Sequence, residues 1–194
     1  MSDTTGDAAA TIDRRTLLKA GAWTAPVLVL ATATPAAAAS GTASGALTFT
    51  NLTYDWVSGD GGSFVGLRAN TNVGFYTNPV GTVSAVVLVI EIENADGIFQ
   101  VGGVPVLDPQ SVPGWAATGG GVAIDVGGVP WIRYTFTWTG ALTPFNATGL
   151  LLATVPLSSP QTPPVRAHAW TAVATAPNDP GVGPATGGGS GEIG

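Results

Sequence analysis

The sequence predicts an all-β protein, an antiparallel sandwich of about 8–10 short strands. Three observations predict it. Beyond residue 40 no apolar pattern recurs at helical spacing; apolar residues alternate or run in short blocks with Gly, Pro, Asn and Asp between them. The chain has 28 Gly and 15 Pro but only 9% charged residues, a composition that suits turns and strands better than helices. The pentapeptide Val-Gly-Gly-Val-Pro occurs twice, at 101–105 and 126–130, each time between strand-like runs.

The first candidate strand, 46–57, is followed by 64–69 and 72–76. The next, 82–93, is apolar on both faces until Glu91 and Glu93, which marks a central strand whose end emerges from the core. Shorter candidates are 98–101, 104–107 and 122–126. In 130–139, Ile132, Tyr134, Phe136 and Trp138 alternate with Trp131, Arg133, Thr135, Thr137 and Thr139, so period 2 puts the first set in the core and the second in water. Strands at 150–155 and 165–176 complete the domain, taken as 40–176. Both Gly-Gly pairs suit two-residue hairpin turns, because Gly accepts the positive φ angles these turns require. In the second copy Val126 would pair with Val129 and Pro130 would face Asp125, its missing N–H turned away from the partner strand. Residues 177–194 offer almost nothing to bury and are expected to form a disordered Pro/Gly-rich tail.

Residues 1–39 read differently. Three of the chain's six Lys and Arg, Arg14, Arg15 and Lys19, fall within six positions. An uncharged, moderately apolar stretch follows, then small residues: Ala37 and Ala39 suit a peptidase cut before Ser40, and Ala36 and Ala38 serve equally well for a cut one residue earlier. The stretch is short of the ~20 apolar residues a membrane span needs and is diluted by Gly21 and Pro26, so a cleavable signal is expected rather than a stable membrane anchor. "RRTLLK", with Arg14, Arg15, Leu17, Leu18 and Lys19, resembles the twin-arginine export signal; Asp13 departs from the Ser or Thr usual before the pair. That resemblance implies the twin-arginine export machinery as a partner and a secreted, extracellular protein that crosses the membrane folded.

From Ser40 on, nine carboxylates face only three cations, Arg68, Arg133 and Arg166. Nucleic-acid binding needs clustered Lys and Arg, so this charge balance argues against it. Cysteine is absent, which excludes disulfides, thiolate catalysis and Cys-built metal centres. His168 is the single histidine, and with no nucleophile-elbow motif nearby it reads as a surface residue beside an aromatic neighbour. Glu91 and Glu93 stand about 6.8 Å apart on one strand face, a separation glycoside hydrolysis tolerates, but two acids on one strand flank a substrate poorly. Catalytic residues are therefore expected to be none, and no cofactor is implied. "EIENADG" makes Glu91, Glu93 and Asp96 candidates for a calcium site, with Asp60 as a further ligand. Trp115, Trp131 and Trp170 are candidates for stacking on sugar rings.

The whole pattern resembles small exported proteins of high-GC Gram-positive bacteria that join a twin-arginine signal to one immunoglobulin-like domain. The resemblance implies an immunoglobulin-like antiparallel β-sandwich after a cleavable signal segment. With few residues beyond Ser40 able to serve as acid, base or nucleophile, a non-enzymatic role in adhesion, surface association or extracellular scaffolding is expected, with a surface polymer or protein as partner. A carbohydrate-binding module is the alternative. Exposed coplanar tryptophans would favour sugar; an apolar patch without such platforms would favour a protein.

Overall fold

The computed structural model describes residues 43–191, except 112 and 164. The signal residues Arg14, Arg15, Leu17, Leu18, Lys19, Ala37, Ala39 and Ser40 lie outside the described residues. The described chain forms eleven strands: β1 (Ser44–Ser58), β2 (Phe64–Val80), β3 (Val83–Glu93), β4 (Val106–Leu107), β5 (Trp115–Ala117), β6 (Val122–Val126), β7 (Val129–Leu142), β8 (Leu151–Gln161), β9 (His168–Thr175), β10 (Val182–Gly183) and β11 (Ala185–Gly191). Among the described residues no helix is long and apolar enough to cross a membrane.

Two sheets form a sandwich, β10-β1-β2-β8-β4 and β11-β9-β3-β7-β5, with β6 also paired to β7. All pairings are antiparallel except β1 with β10. The neighbours β1-β2-β8 and β11-β9-β3-β7 match strands A-B-E and G-F-C-C′ of an immunoglobulin variable-type sandwich. The departure is β4, which holds the D position beside β8 although it precedes β7 in the chain.

The core lies between the inner faces. Leu67, Val73, Phe75, Leu151, Ala153 and Val155 of the first sheet face Leu88, Ile90, Ile92, Ile132, Tyr134 and Phe136 of the second. Strand β7 has the expected alternation: Ile132, Tyr134, Phe136 and Trp138 are buried while Trp131, Arg133, Thr135 and Thr137 are half-buried on the outer face. Strand β3 is central, as its two apolar faces imply.

The structure differs from the sequence reading in four places. Candidates 64–69 and 72–76 are one strand, because the intervening polar residues bond across to β1 instead of turning: Thr71 Oγ1 donates to Asn51 O (2.7 Å) and Asn51 Nδ2 to Asn70 Oδ1 (3.0 Å). Segment 113–117, which is not among the candidate strands, contains β5, paired with β7. Residues 98–101 make a single bridge, Phe99 with Leu157, and no strand. Residues 182–191 are not a disordered tail but two strands. Strand β11 pairs with β9 through backbone bonds that need no apolar pattern. Its glycines leave room for large neighbours: a Cβ on Gly187 would meet Leu52 Cδ2 at 2.8 Å, and one on Gly189 the Trp170 indole at 3.3 Å.

Candidate functional site

The charged residues gather where β3 leaves the core. Glu91 and Glu93 point outward at the strand's end, and register sets what they meet. Arg133 on β7 lies directly opposite Glu91, with Nη2 at 2.6 Å and Nε at 2.8 Å from Oε1. From β9 on the other side, Thr171 Oγ1 donates to Glu91 Oε2 (3.2 Å). Arg166 Nη2 contacts Glu93 Oε1 at 2.6 Å, and its Nε contacts Asp96 Oδ2 at 3.0 Å. The Arg166 hydrogen bond holds the Glu93 carboxyl below the usual carboxylate range against a smaller desolvation effect. The same bond raises the Arg166 guanidinium. These side chains are partly exposed, so each ion pair contributes little to stability.

This arrangement changes the reading of the acidic stretch. Glu91, Glu93 and Asp96 do not converge as an oxygen cage for calcium; an arginine engages each. Among the described residues no three His, Cys, Asp or Glu are grouped to hold a metal ion. Asp60 sits in a 3-10 turn, Asp60–Gly62, between β1 and β2.

His168 is not at the surface: it is fully buried (0% exposed). It begins β9 on the inner face, edge-on to the rings of Phe99 (5.2 Å) and Trp56 (6.3 Å). Its Nδ1 lies 3.0 Å from Glu93 O; a carbonyl can only accept, so Nδ1 carries the proton. Nε2 stands 3.7 Å from Asp96 Oδ2 and has no hydrogen-bond partner among the described residues. No nucleophilic side chain among them is bonded to the ring, so the geometry is that of a core histidine anchored to the end of β3.

The three candidate tryptophans are not brought together. Trp115 is buried opposite Trp138, its Nε1 donating to Gly149 O (3.4 Å). Trp170 is half-buried on the inner face of β9, its ring centroid 4.8 Å from that of Tyr54. Trp131 alone faces outward, between Glu93 of β3 and Ile124 of β6. They make no coplanar platform.

Sequence reasoning missed an apolar surface. Val122, Ile124 and Val126 share the outer face of β6, beside Val129 and Trp131 of β7. Val122 is 57% exposed and Val126 46%. Val101 and Val104 are also exposed; they flank Gly102 and Gly103, which bond Gly121 at the start of β6 (2.7 and 2.9 Å). The alternation in "VAIDV" could have put its apolar residues on one face. It could not have told that this face is left uncovered.

Comparison with protein-family models, with curated proteins and with solved structures gives no match.

Proposed function

We propose that the protein is a secreted, non-enzymatic β-sandwich module that acts in adhesion, surface association or extracellular scaffolding by holding a protein partner against the outer face of β6. The observation that carries this reading is the row Val122, Ile124, Val126, Val129 and Trp131, apolar and at least partly open to solvent, on the face of an edge strand. Contiguous apolar surface of this kind marks interaction sites. The engaged carboxylates and the anchored His168 offer no free acid–base pair to support an enzymatic reading.

Binding is tested by retention of the full chain on immobilised surface proteins and, in parallel, on cell-wall polysaccharides. Retention on protein that is lost in Val122→Ser/Val126→Ser supports the proposal. Retention on polysaccharide that Trp131→Ala abolishes, in a variant that still folds, favours the carbohydrate-binding alternative. The export half of the proposal rests on "RRTLLK". Replacing Arg14 and Arg15 together by Lys should leave the precursor in the cytoplasm; secretion at normal yield overturns that half.

A further inference from the structure

We propose that β6 pairs along its free edge with a second copy of this chain, strand to strand about a two-fold axis at Ile124. This rests on reading β6 as a binding element and goes beyond it: the pairing joins the two apolar outer faces into one surface.

The backbone of β6 sets the geometry. Val126 and Val129 flank a two-residue turn and form a hydrogen-bonded pair, so bonded pairs recur at Ile124–Trp131 and Val122–Arg133. The N–H and C=O groups of Ala123 and Asp125 therefore point away from β7. Gly121 is in the same phase, and its groups are taken: its N–H donates to Gly103 O and its carbonyl accepts from Gly102 N. Among the described residues the edge is closed at Gly121 and open at Ala123 and Asp125, both of which are exposed. An exposed row of unpaired strand groups is a template for another strand.

Three antiparallel two-fold registers can be compared. Centred on Ala123, the second copy's Asp125 would need the groups of Gly121, which are occupied. Centred on Asp125, two carboxylates would stand directly opposite each other, which is destabilising. Centred on Ile124, Ala123 faces the second copy's Asp125 twice over, giving four backbone hydrogen bonds with no like charges opposed. Val122 then lies opposite the second copy's Val126, and Ile124 opposite its counterpart, so the apolar row runs unbroken across the join. The register is self-complementary, as an isologous contact must be.

Other edges are poorer. Strands β4 and β10 have two residues each. Strand β11, Ala185–Gly191, is mostly glycine and carries no side-chain pattern to fix a register. A five-residue strand buries less than a standard interface, so the dimer is weak and concentration-dependent. Both copies carry a net charge of −6, and salt should strengthen their association by screening repulsion.

Sedimentation of the full chain across a concentration series, at low salt and at about 0.5 M salt, tests this. The expected result is a monomer–dimer equilibrium that shifts toward dimer with salt. Ala123→Pro removes an outward N–H and breaks no bond to β7, and it should abolish the dimer; Ile124→Lys, which puts two charges on the axis, should do the same. Val106→Ser, at an exposed valine on β4, should leave it intact. The chain has no cysteine, so oxidised Ile124→Cys should give a covalent dimer where Val106→Cys does not. A monomer at every concentration, or a dimer that survives both Ala123→Pro and Ile124→Lys, overturns the inference. A monomer that still binds immobilised protein, and loses it in Val122→Ser/Val126→Ser, overturns the self-pairing alone and leaves the proposed function standing.

Discussion

Val-Gly-Gly-Val-Pro folds in two ways within this chain. At 126–130 it is a hairpin tip: Gly127 and Gly128 have φ of 64° and 86°, Val126 pairs with Val129, and Pro130 faces Asp125. Asp125 Oδ1 accepts from Gly128 N–H (2.8 Å), and the proline is exposed. At 101–105 the turn falls one residue earlier, closed by Gly103 N–H donating to Gln100 O (3.1 Å), and only Gly102 has positive φ (77°). Here Gly103 and Pro105 are buried. The pentapeptide permits a left-handed backbone; its flanks decide where the chain uses it. Around the second copy, 122–126 and 129–133 are free to pair with each other. Before the first copy, Phe99 is already committed: its ring is in the core, its N–H and C=O are clamped by the Asn94 side chain (2.9 and 3.1 Å), and Leu157 bridges it.

If the first copy is held by its surroundings and the second by its own turn, substitutions around them should separate cleanly. The largest effect is expected from Gly120→Ala, where a Cβ would stand 2.1 Å from Gly102 O and drive backbone from backbone. Denaturant melts should show a loss of about 3 kcal/mol, the upper end for overpacking. Gly103→Ala comes next, at about 2 kcal/mol, since its Cβ would meet Pro156 Cγ at 2.6 Å, where the proline ring can yield a little. In the hairpin, Gly128→Ala meets no atom within 4 Å but must hold φ of 86°. It should cost about 1 kcal/mol through conformation alone. Smallest is Pro130→Ala, exposed and in a non-bonded pair, within about 0.5 kcal/mol. A Gly128→Ala variant that costs more than Gly120→Ala would reverse the comparison.

The same contrast explains what could be read in advance. Strand β7, the central place of β3 and the Val126–Val129 hairpin follow from short-range patterns that tertiary contacts do not override. The continuity of β2 through Asn70, Thr71 and Asn72 was hidden, because residues that usually turn the chain here bond across to β1. Strand β11 was hidden because glycine carries no periodicity. His168 and Trp170 lie on one strand face, as their spacing says, yet only strand order reveals that this face turns inward. The pairing of Glu91 with Arg133 needs the β3–β7 register, which no single strand encodes. The open edge of β6 depends on what the rest of the fold leaves uncovered.

The first pentapeptide also sets how the two sheets would part under load. Gln100 N–H bonds Pro156 O on β8 of one sheet (3.1 Å), and two residues later Gly102 and Gly103 bond Gly121, which leads into β6 of the other. Across the core the sheets are held by side-chain packing, which yields gradually as surfaces slide. On this flank a tensile force that separates the sheets is carried by short, directional backbone bonds. They resist almost without stretching and then fail together, so this flank acts as a stiff seam.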